Sequence, residues 1–325
     1  MLHAYRKHDP SLHVLLPFVP RRTVSLYLSL HALCITLAQI PSITSTPQIA
    51  ALRMQFWTST VHSIFNNAQL PREPIAILLH SALSSHNPML KTWLNRILST
   101  YSTHVHSPPH PSLSSLEAYA ESTRSTLLYI LLGSLPLSSL TADHLASHIG
   151  KAVGIAAVLK NLPSMAFPGV NQNHHKAPGP GRQGLVMLPL DVMARHAVSE
   201  ESVLREGPRA TGLADAVFEV ATRANDHLIT AREMLAGLKR GEGVGHEFEG
   251  RADEHGVGGK EAEGDKAKLE EVKRAFSLLM SPAVSTGLWL KRLEKGGFDI
   301  FREDLRRGEW KLPWTAYWAW KRGKF

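Results

Sequence analysis

The sequence contains two pairs of carboxylates whose members are one helical turn apart. This spacing lets the two side chains of a pair share a divalent cation. Glu117 and Glu121 form the first pair, and Asp215 and Glu219 form the second. On one helix face, such pairs can hold Mg²⁺ against a diphosphate group. Acids near a helix start also complement the helix dipole, and Arg223 offers the second pair an ion-pair partner. We favour this structural role for both pairs and assign no metal ligand.

Histidines provide a further candidate metal pair. His144 and His148 are four residues apart, but the Leu-Ala-Ser between them lacks the glutamate of a metalloprotease motif. We therefore predict a polar helix edge at this pair. His104, His106 and His110 lie in a segment rich in Pro and Ser, where we predict solvated loop residues.

The sequence gives no support to nucleophilic catalysis. Cys34 is the only cysteine, so an intrachain disulfide is excluded, and its apolar helical surroundings predict an inert thiol. There is no G-x-S-x-G motif, P-loop or dinucleotide fingerprint after a strand. We therefore predict no cofactor, and the low cysteine content indicates a reducing compartment such as the cytosol or the mitochondrial matrix.

Charge favours anionic partners. The formal net charge is +8, which suits lipid headgroups, phosphates, nucleic acid or an acidic protein face. A basic protein with no such partner is the alternative. The acids are unevenly placed, because only seven of the 28 Asp and Glu lie within residues 1–200. A site for several divalent cations would have few ligands available there.

Hydrophobic periodicity predicts an all-α protein. Apolar residues recur at helical spacing, and VMLPL near Met187 is the only short strand-like run. The predicted helices cover residues 21–40, 48–67, 71–85, 88–103, 113–134, 141–161, 189–195, 199–205, 213–238, 269–280, 283–295 and 313–322.

We predict that residues 1–325 form a single domain with two long connections. Residues 163–184 are rich in Pro and Gly and predict a loop, which Pro163 opens by ending the preceding helix. Residues 239–268 are rich in Gly and charge with almost nothing to bury, which indicates a disordered insertion. No repeat of 20–50 residues indicates a solenoid.

Two segments could contact a membrane. Residues 24–40 are apolar but short for a membrane span, and they contain His31 and Gln39, so we favour a core helix. The C-terminal LPWTAYWAWKRGKF places aromatic rings beside cations, a combination typical of membrane interfaces. The tryptophans could equally complete the core. The possible membrane contacts are Trp314, Trp318, Trp320, Lys321, Arg322 and Lys324.

Several strings together resemble the squalene/phytoene synthase family. HIGKAVGIAAVLKNLPSM from His148 and GLVMLPLD from Gly184 are similar to its second signature. LRMQFW, YAESTRSTLLY, ADHLASHIGKA and FDIF support the resemblance, which covers residues 5–237 and 270–322. Within the family, the chain is most similar to the mitochondrial complex I assembly factor branch.

The resemblance implies two acidic helical motifs that face a central cavity, where carboxylates hold magnesium against a substrate diphosphate. In this chain other side chains stand at the positions that match the motifs: Ala38, Ser42, Gly154, Ala157, Asn161 and Met165. Ile35 and Leu185 stand where the family has basic residues. The resemblance therefore implies an inherited fold without synthase chemistry, because metal-assisted departure of a diphosphate loses its electrostatic stabilisation.

We therefore predict an all-α fold of the isoprenoid (terpenoid) synthase type, a helical bundle around a central cavity without prenyltransferase activity. The resemblance implies a non-catalytic assembly factor for respiratory complex I, peripheral on the matrix side of the mitochondrial inner membrane. Its partners would be complex I subunits or assembly intermediates and the lipid surface, and not nucleic acid.

Two alternatives stay open. In the first, the chain is an active transferase, which requires that Glu117, Glu121, Asp215 and Glu219 converge on one cavity. In the second, the apolar cavity binds a lipid.

Overall fold

A computed structural model describes residues 9–44, 46–66, 68–83, 89–105, 110–135, 140–167, 184–240 and 260–325, without the side chains of residues 42, 89 and 260–271. Across these ranges the regular elements are all helices, which confirms the all-α prediction. The α-helices are α1 (Pro10–Leu15), α2 (Val24–Ile43), α3 (Pro47–Phe65), α4 (Pro74–Leu83), α5 (Met89–His104), α6 (Leu113–Ala120), α7 (Thr126–Leu132), α8 (Leu140–Ala166), α9 (Leu190–Arg195), α10 (Glu200–Glu206), α11 (Leu213–Arg240), α12 (Lys260–Lys295) and α13 (Leu312–Arg322).

Short side chains start several of these helices. Thr46 precedes α3, and its hydroxyl accepts a hydrogen bond from the amide of Ile49. Ser112 and Ser199 cap α6 and α10 in the same way. Each cap satisfies a backbone N–H that has no partner within its helix, which explains where these helices begin.

Prolines inside helices correct two predicted boundaries. Helix α8 continues past Pro163 to Ala166, and the amide of Phe167 still donates to the carbonyl of Pro163. Residues 269–280 and 283–295 belong to one helix, α12, which contains Pro282. A proline removes one backbone hydrogen bond, but both prolines lie in helices packed against several neighbours, and this packing outweighs the local preference.

Helix α8 is the centre of the bundle and contacts α6, α7, α11 and α12. Its buried residues occur on all sides, which is typical of a core helix surrounded by others. Two glycines allow this close packing. A Cβ on Gly150 would lie 2.4 Å from the backbone of Ser125, and one on Gly154 would lie 2.4 Å from Cβ of Ala120.

The segment Glu121–Ser125, between α6 and α7, is a single π-helical turn. It faces α8 at the two glycines. Such turns widen a helix by one residue and change the direction of the side chains that follow. Arg124 lies in this turn and lines the cavity described below.

Helix α2 contains the predicted core segment. The stretch Arg21–Pro41 is the one helix in the described ranges that is long and apolar enough to cross a membrane, and 56% of its most apolar window is buried. Leu30, Leu33 and Leu37 are at most 1% exposed, and the helix packs on α4 and α3. These contacts are those of a bundle helix.

The two predicted connections lie mostly outside the described residues. Of the predicted loop 163–184, residues 168–183 are not described, and residues 163–166 are helical. Of the predicted insertion 239–268, residues 241–259 are not described, and both flanks belong to helices α11 and α12. The single-domain prediction and the disorder prediction stay predictions.

Candidate functional site

A cavity of about 790 Å³ lies between the N-terminal helices, α8 and the C-terminal part of the chain. Four of the six positions that the resemblance assigns to the synthase motifs line it: Ala38 of α2 and Ala157, Asn161 and Met165 of α8. Ile35 also lines it. The fold thus brings two segments more than a hundred residues apart to the walls of one cavity.

The two other motif positions are placed differently. Ser42 lies in the last turn of α2, where its side chain is not described. Gly154 is buried against Ala120, which leaves no space for a side chain. An aspartate at position 154 would collide with the backbone of α6, since a Cβ would lie 2.8 Å from Cα of Ala120. Leu185 is absent from the cavity wall among the described residues.

The donor set of the cavity does not fit a magnesium cluster. Its carboxylates, among the residues described, are Asp9 and Glu309. Asp9 caps α1 by accepting hydrogen bonds from the amide and hydroxyl of Ser11, and Oε2 of Glu309 lies 3.4 Å from Nε of Arg292. Mg²⁺ at a diphosphate requires carboxylates free to coordinate it. The described ranges also contain no group of three or more His, Cys, Asp or Glu that could hold a metal.

Cations are the prominent polar groups of the cavity. Arg124, Lys160, Arg292, Arg306 and Arg307 line it, against the two carboxylates. Sequence reasoning did not single out any of these cations as a site. The placement of Arg124 depends on the π-helical turn and on the close packing at the α8 glycines, neither of which is visible in hydrophobic periodicity.

The predicted acid pairs do not converge on the cavity. Glu117 lies at the interface of α6 with α11, where its carboxylate accepts hydrogen bonds from Nε of Arg223 at 2.6 Å and from Nε2 of His227 at 2.7 Å. Burial raises the pKa of Glu117, but these two hydrogen bonds outweigh it and lower the pKa below its ordinary value. The side chain is a structural anion between two helices.

Glu121 faces α7 and α8 instead of its helical neighbour Glu117. It accepts hydrogen bonds from the Tyr129 hydroxyl at 2.6 Å and the Ser147 hydroxyl at 2.8 Å, and Nζ of Lys151 lies 3.9 Å away. Burial raises its pKa, yet these donors bring the net pKa below its ordinary value. Its contacts with Tyr129, Ser147 and Lys151 join the π-helical turn to α7 and α8.

The second pair is also structural. Glu219 accepts hydrogen bonds from Arg195 at 2.5 Å and His196 at 2.8 Å, while Asp215 is exposed in the first turn of α11. None of the four acids belongs to the cavity wall within the described residues. The condition for the transferase alternative, convergence of these acids on one cavity, is therefore not met.

Two histidines depart from their predicted loop positions, and a third links two helices. His148 of the predicted pair faces His227, with 3.1 Å between the two Nδ1 atoms, so it links α8 to α11. His104 ends helix α5, and His110 is buried against Tyr119 at a ring distance of 5.1 Å. The solvated-loop prediction is wrong for these two, because His104 lies in a helix and His110 is buried against Tyr119. His106 lies outside the described residues.

Helix α13 presents an exposed aromatic face. Within the helix, Trp314, Trp318 and Trp320 are 68%, 46% and 53% exposed, and Trp310, two residues before the helix, is 74% exposed. The helix instead buries Leu312, Ala316 and Ala319. The tryptophans therefore do not complete the core.

Cations surround these exposed rings. Nζ of Lys321 lies 5.3 Å and the guanidinium carbon of Arg322 lies 5.1 Å from the ring centre of Trp318. Lys324 is also exposed. At the end of the helix, Nζ of Lys239 donates to the carbonyl oxygens of Arg322 and Gly323, at 3.3 and 2.6 Å. This contact fixes the aromatic helix to α11.

Comparisons with known proteins agree with this fold. A dehydrosqualene synthase in complex with a ligand superposes with a TM-score of 0.68 at 15% identity, covering 98% of this chain and 93% of that one. A squalene synthase from Alicyclobacillus acidocaldarius gives a TM-score of 0.59 at 12% identity, over 91% and 92% of the chains. These likenesses show the fold alone, and they confirm the predicted isoprenoid-synthase architecture.

Sequence relatives give the family. The squalene/phytoene synthase family matches residues 5–318. Proteins named "NADH dehydrogenase (ubiquinone) complex I, assembly factor 6" are 30% identical in Bos taurus and 31% identical in Mus musculus, over 97% of this chain and 79% of each relative. The chain therefore belongs to the squalene/phytoene synthase family and, within it, to the assembly factor 6 branch.

Proposed function

We propose that this protein is an assembly factor for mitochondrial respiratory complex I. The observation that carries this proposal is the 30% identity, over 97% of the chain, to relatives named as complex I assembly factor 6. The partners we propose are complex I subunits or assembly intermediates. Mitochondrial association follows from the same role.

We propose further that the protein acts without synthase catalysis. The cavity positions that the resemblance assigns to the acids of the synthase motifs carry Ala38, Ala157, Asn161 and Met165. Of the four candidate acids elsewhere, Glu117, Glu121 and Glu219 pair with other side chains, and none of the four lines the cavity among the described residues. Ionisation of an allylic diphosphate needs strong electrostatic stabilisation of the leaving group. Among the described residues, the two carboxylates of the cavity already have partners, which supports a role through contacts with other molecules.

The aromatic face of α13 supports peripheral attachment to the matrix side of the inner membrane. Indole rings prefer the headgroup region, and each basic residue near an anionic lipid surface contributes about 1 kcal/mol of attraction. Trp314 and Trp318 supply exposed rings, and Lys321, Arg322 and Lys324 supply charge on the same helix end. The net charge of +8 acts in the same direction.

Deletion of the gene tests the central proposal. We expect loss of assembled complex I on native gels and its recovery when the wild-type chain is expressed again. Normal complex I levels in the deletion strain would contradict the assembly role.

Vesicle binding tests the membrane surface. We expect the double variant Trp314→Ser/Trp318→Ser to bind anionic vesicles about tenfold more weakly than the wild type, because two interfacial anchors are lost. Leu52→Ser/Phe56→Ser is the matched control, since Leu52 and Phe56 are exposed apolar residues on α3, at 64% and 41%. If both double variants weakened vesicle binding equally, a specific role of α13 in membrane attachment would be contradicted.

A turnover assay tests the absence of catalysis. The purified protein is incubated with farnesyl or geranylgeranyl diphosphate and Mg²⁺, and pyrophosphate release is followed. We expect none above a no-protein control. Release that depends on the protein would restore the transferase alternative.

A further inference from the structure

Two cations of the cavity form no ion pair with any of the described residues. Arg124 comes from the π-helical turn, and Lys160 comes from α8. Across the described part of the chain, neither side chain forms a hydrogen bond or an ion pair. Nζ of Lys160 lies 5.2 Å from the ring centre of Trp289, a cation–π contact that leaves its three N–H donors available.

Neighbouring charges make the cavity attractive to an anion. Arg292 also lines it, and the carboxylate of Asp9 in the same wall is an opposing charge that acts on both Lys160 and Arg124. The protein around the ammonium displaces water and lowers the pKa of Lys160, although its side chain is accessible to solvent. Asp9 opposes this shift, and the positive charges of Arg124 and Arg292 add to it. An anion between these cations would stabilise all of them.

Apolar side chains form much of the remaining wall. They are Leu12, Val14, Ile35, Ile43, Met165, Phe167, Trp289, Ile300, Leu305 and Leu312. A volume of about 790 Å³ is within the usual range for a small-molecule pocket. Cations beside an apolar wall match an amphiphile with an anionic head.

We propose that this cavity binds a phosphate group directly through Arg124 and Lys160, without a divalent cation, and that its apolar wall accepts the alkyl chain of a phosphate-bearing lipid. Guanidinium and ammonium groups are well suited to phosphate oxygens, because their N–H donors make charge-assisted hydrogen bonds. The protein supplies the positive charge that metal ions would otherwise bring. This binding is independent of the proposed assembly role.

Calorimetric titration in EDTA tests the proposal with two probes, dodecyl phosphate and inorganic phosphate. We expect dodecyl phosphate to bind, and Arg124→Gln and Lys160→Gln each to weaken its binding about tenfold, the usual cost of losing one charge-assisted contact. Arg209→Gln, which changes an exposed arginine outside the cavity, is the matched control and is expected to bind like the wild type.

The two probes distinguish the source of the phosphate. Tighter binding of dodecyl phosphate than of inorganic phosphate supports a lipid ligand, and Ala157→Phe, which narrows the cavity, should then weaken only the dodecyl probe. Equal affinities that both depend on Arg124 support a free phosphate anion and overturn the lipid part.

Two results would overturn the site itself. The first is no binding of either probe, and the second is binding that both glutamine variants leave unchanged. Circular dichroism establishes that each variant is folded. Arg124→Lys serves as a second variant that keeps the charge, and we expect it to retain most of the affinity.

Discussion

Charged side chains are paired in one region of the molecule, whereas in another two cations are unpaired among the described residues. The first region is the interface of α6, α7, α8 and α11, and the second is the cavity. At the interface, Glu117 and Glu121 each accept hydrogen bonds from two or more side chains on other helices. In the cavity, Arg124 and Lys160 have no such partner among the described residues. The charges of the interface join helices, whereas these two cations of the cavity keep their N–H donors available for a ligand.

The two regions are separated by only one helical turn. Glu121 begins the π-helical turn and faces α7 and α8, and Arg124 lies three residues later and faces the cavity. Neighbouring residues of one sequence motif, YAESTRSTLLY, thus serve different purposes. The difference indicates that partner contacts, more than residue type, separate a structural charge from a binding charge.

The largest loss of stability is expected from a substitution in α8, the helix that both regions share. Gly150→Ala places a Cβ 2.4 Å from backbone atoms of Ser125, which cannot move aside as a flexible side chain would. We expect a loss of about 3 kcal/mol in the free energy of unfolding, at the upper end for overpacking. Urea denaturation measures it, with Gly297→Ala as a space control whose penalty comes from its positive φ of 65° alone. An unchanged free energy of unfolding in Gly150→Ala would show that α8 is not packed this tightly.

Acid should destabilise the folded protein through His31, which is buried in α2. Burial lowers the pKa of His31 from its ordinary 6.5 to about 4 in the folded chain. Below pH 6.5 the unfolded chain therefore binds a proton that the folded chain does not bind. Stability should fall as the pH drops from 6.5 to 4, by about 3 kcal/mol in total from this group.

Comparison with His31→Leu isolates this contribution. The variant should lose less stability between pH 7 and pH 5 than the wild type, measured by urea denaturation at both pH values. His110, whose pKa burial also lowers to about 4, contributes equally in both proteins. Parallel pH profiles for the two proteins would disprove the assignment.

Removal of an interface acid should cost less than the glycine substitution. Glu121→Ala removes the acceptor of Tyr129 and Ser147, and we expect a loss of about 2 kcal/mol, since both donors lose a charged partner. The control is Glu201→Ala, which breaks an exposed ion pair with Arg205 and should leave the melting temperature unchanged. Equal melting temperatures for both variants would remove the structural role of Glu121.

The smallest expected change in stability distinguishes the cavity from the interface most directly. Arg124→Met removes a cation that forms no hydrogen bond or ion pair with the described residues, and it relieves repulsion with Lys160. We therefore expect the ligand-free protein to keep its stability or gain about 1 kcal/mol. Thermal denaturation of both proteins measures the difference. A large loss of stability would indicate that Arg124 is a structural charge like those at the interface.

The sequence predicts the helices better than it predicts their contacts. Ser199 begins its helix as expected, because capping depends on neighbouring residues only. Pro163 and Pro282 do not end theirs, because burial among other helices outweighs one lost backbone hydrogen bond. Local rules succeed where the decisive interaction is local.

The candidate site shows the same limit. Four of the six positions that the resemblance assigns to the synthase motifs, Ala38, Ala157, Asn161 and Met165, line one cavity. Arg124 was missed, since its position follows from contacts of the π-helical turn with α8. Glu117 finds its partner Arg223 106 residues away, a pairing that spacing along the chain does not reveal.

The lysine contact at the end of α13 has a consequence for recognition. Lys239 of α11 anchors the carbonyls of Arg322 and Gly323, so the indole rings are presented on a helix that is already ordered before any encounter. A surface that is rigid in advance loses little conformational entropy when it docks. The affinity at this face should therefore depend mainly on the dissociation rate. Substitution of Lys239 should raise that rate, although the residues that make the contact are unchanged.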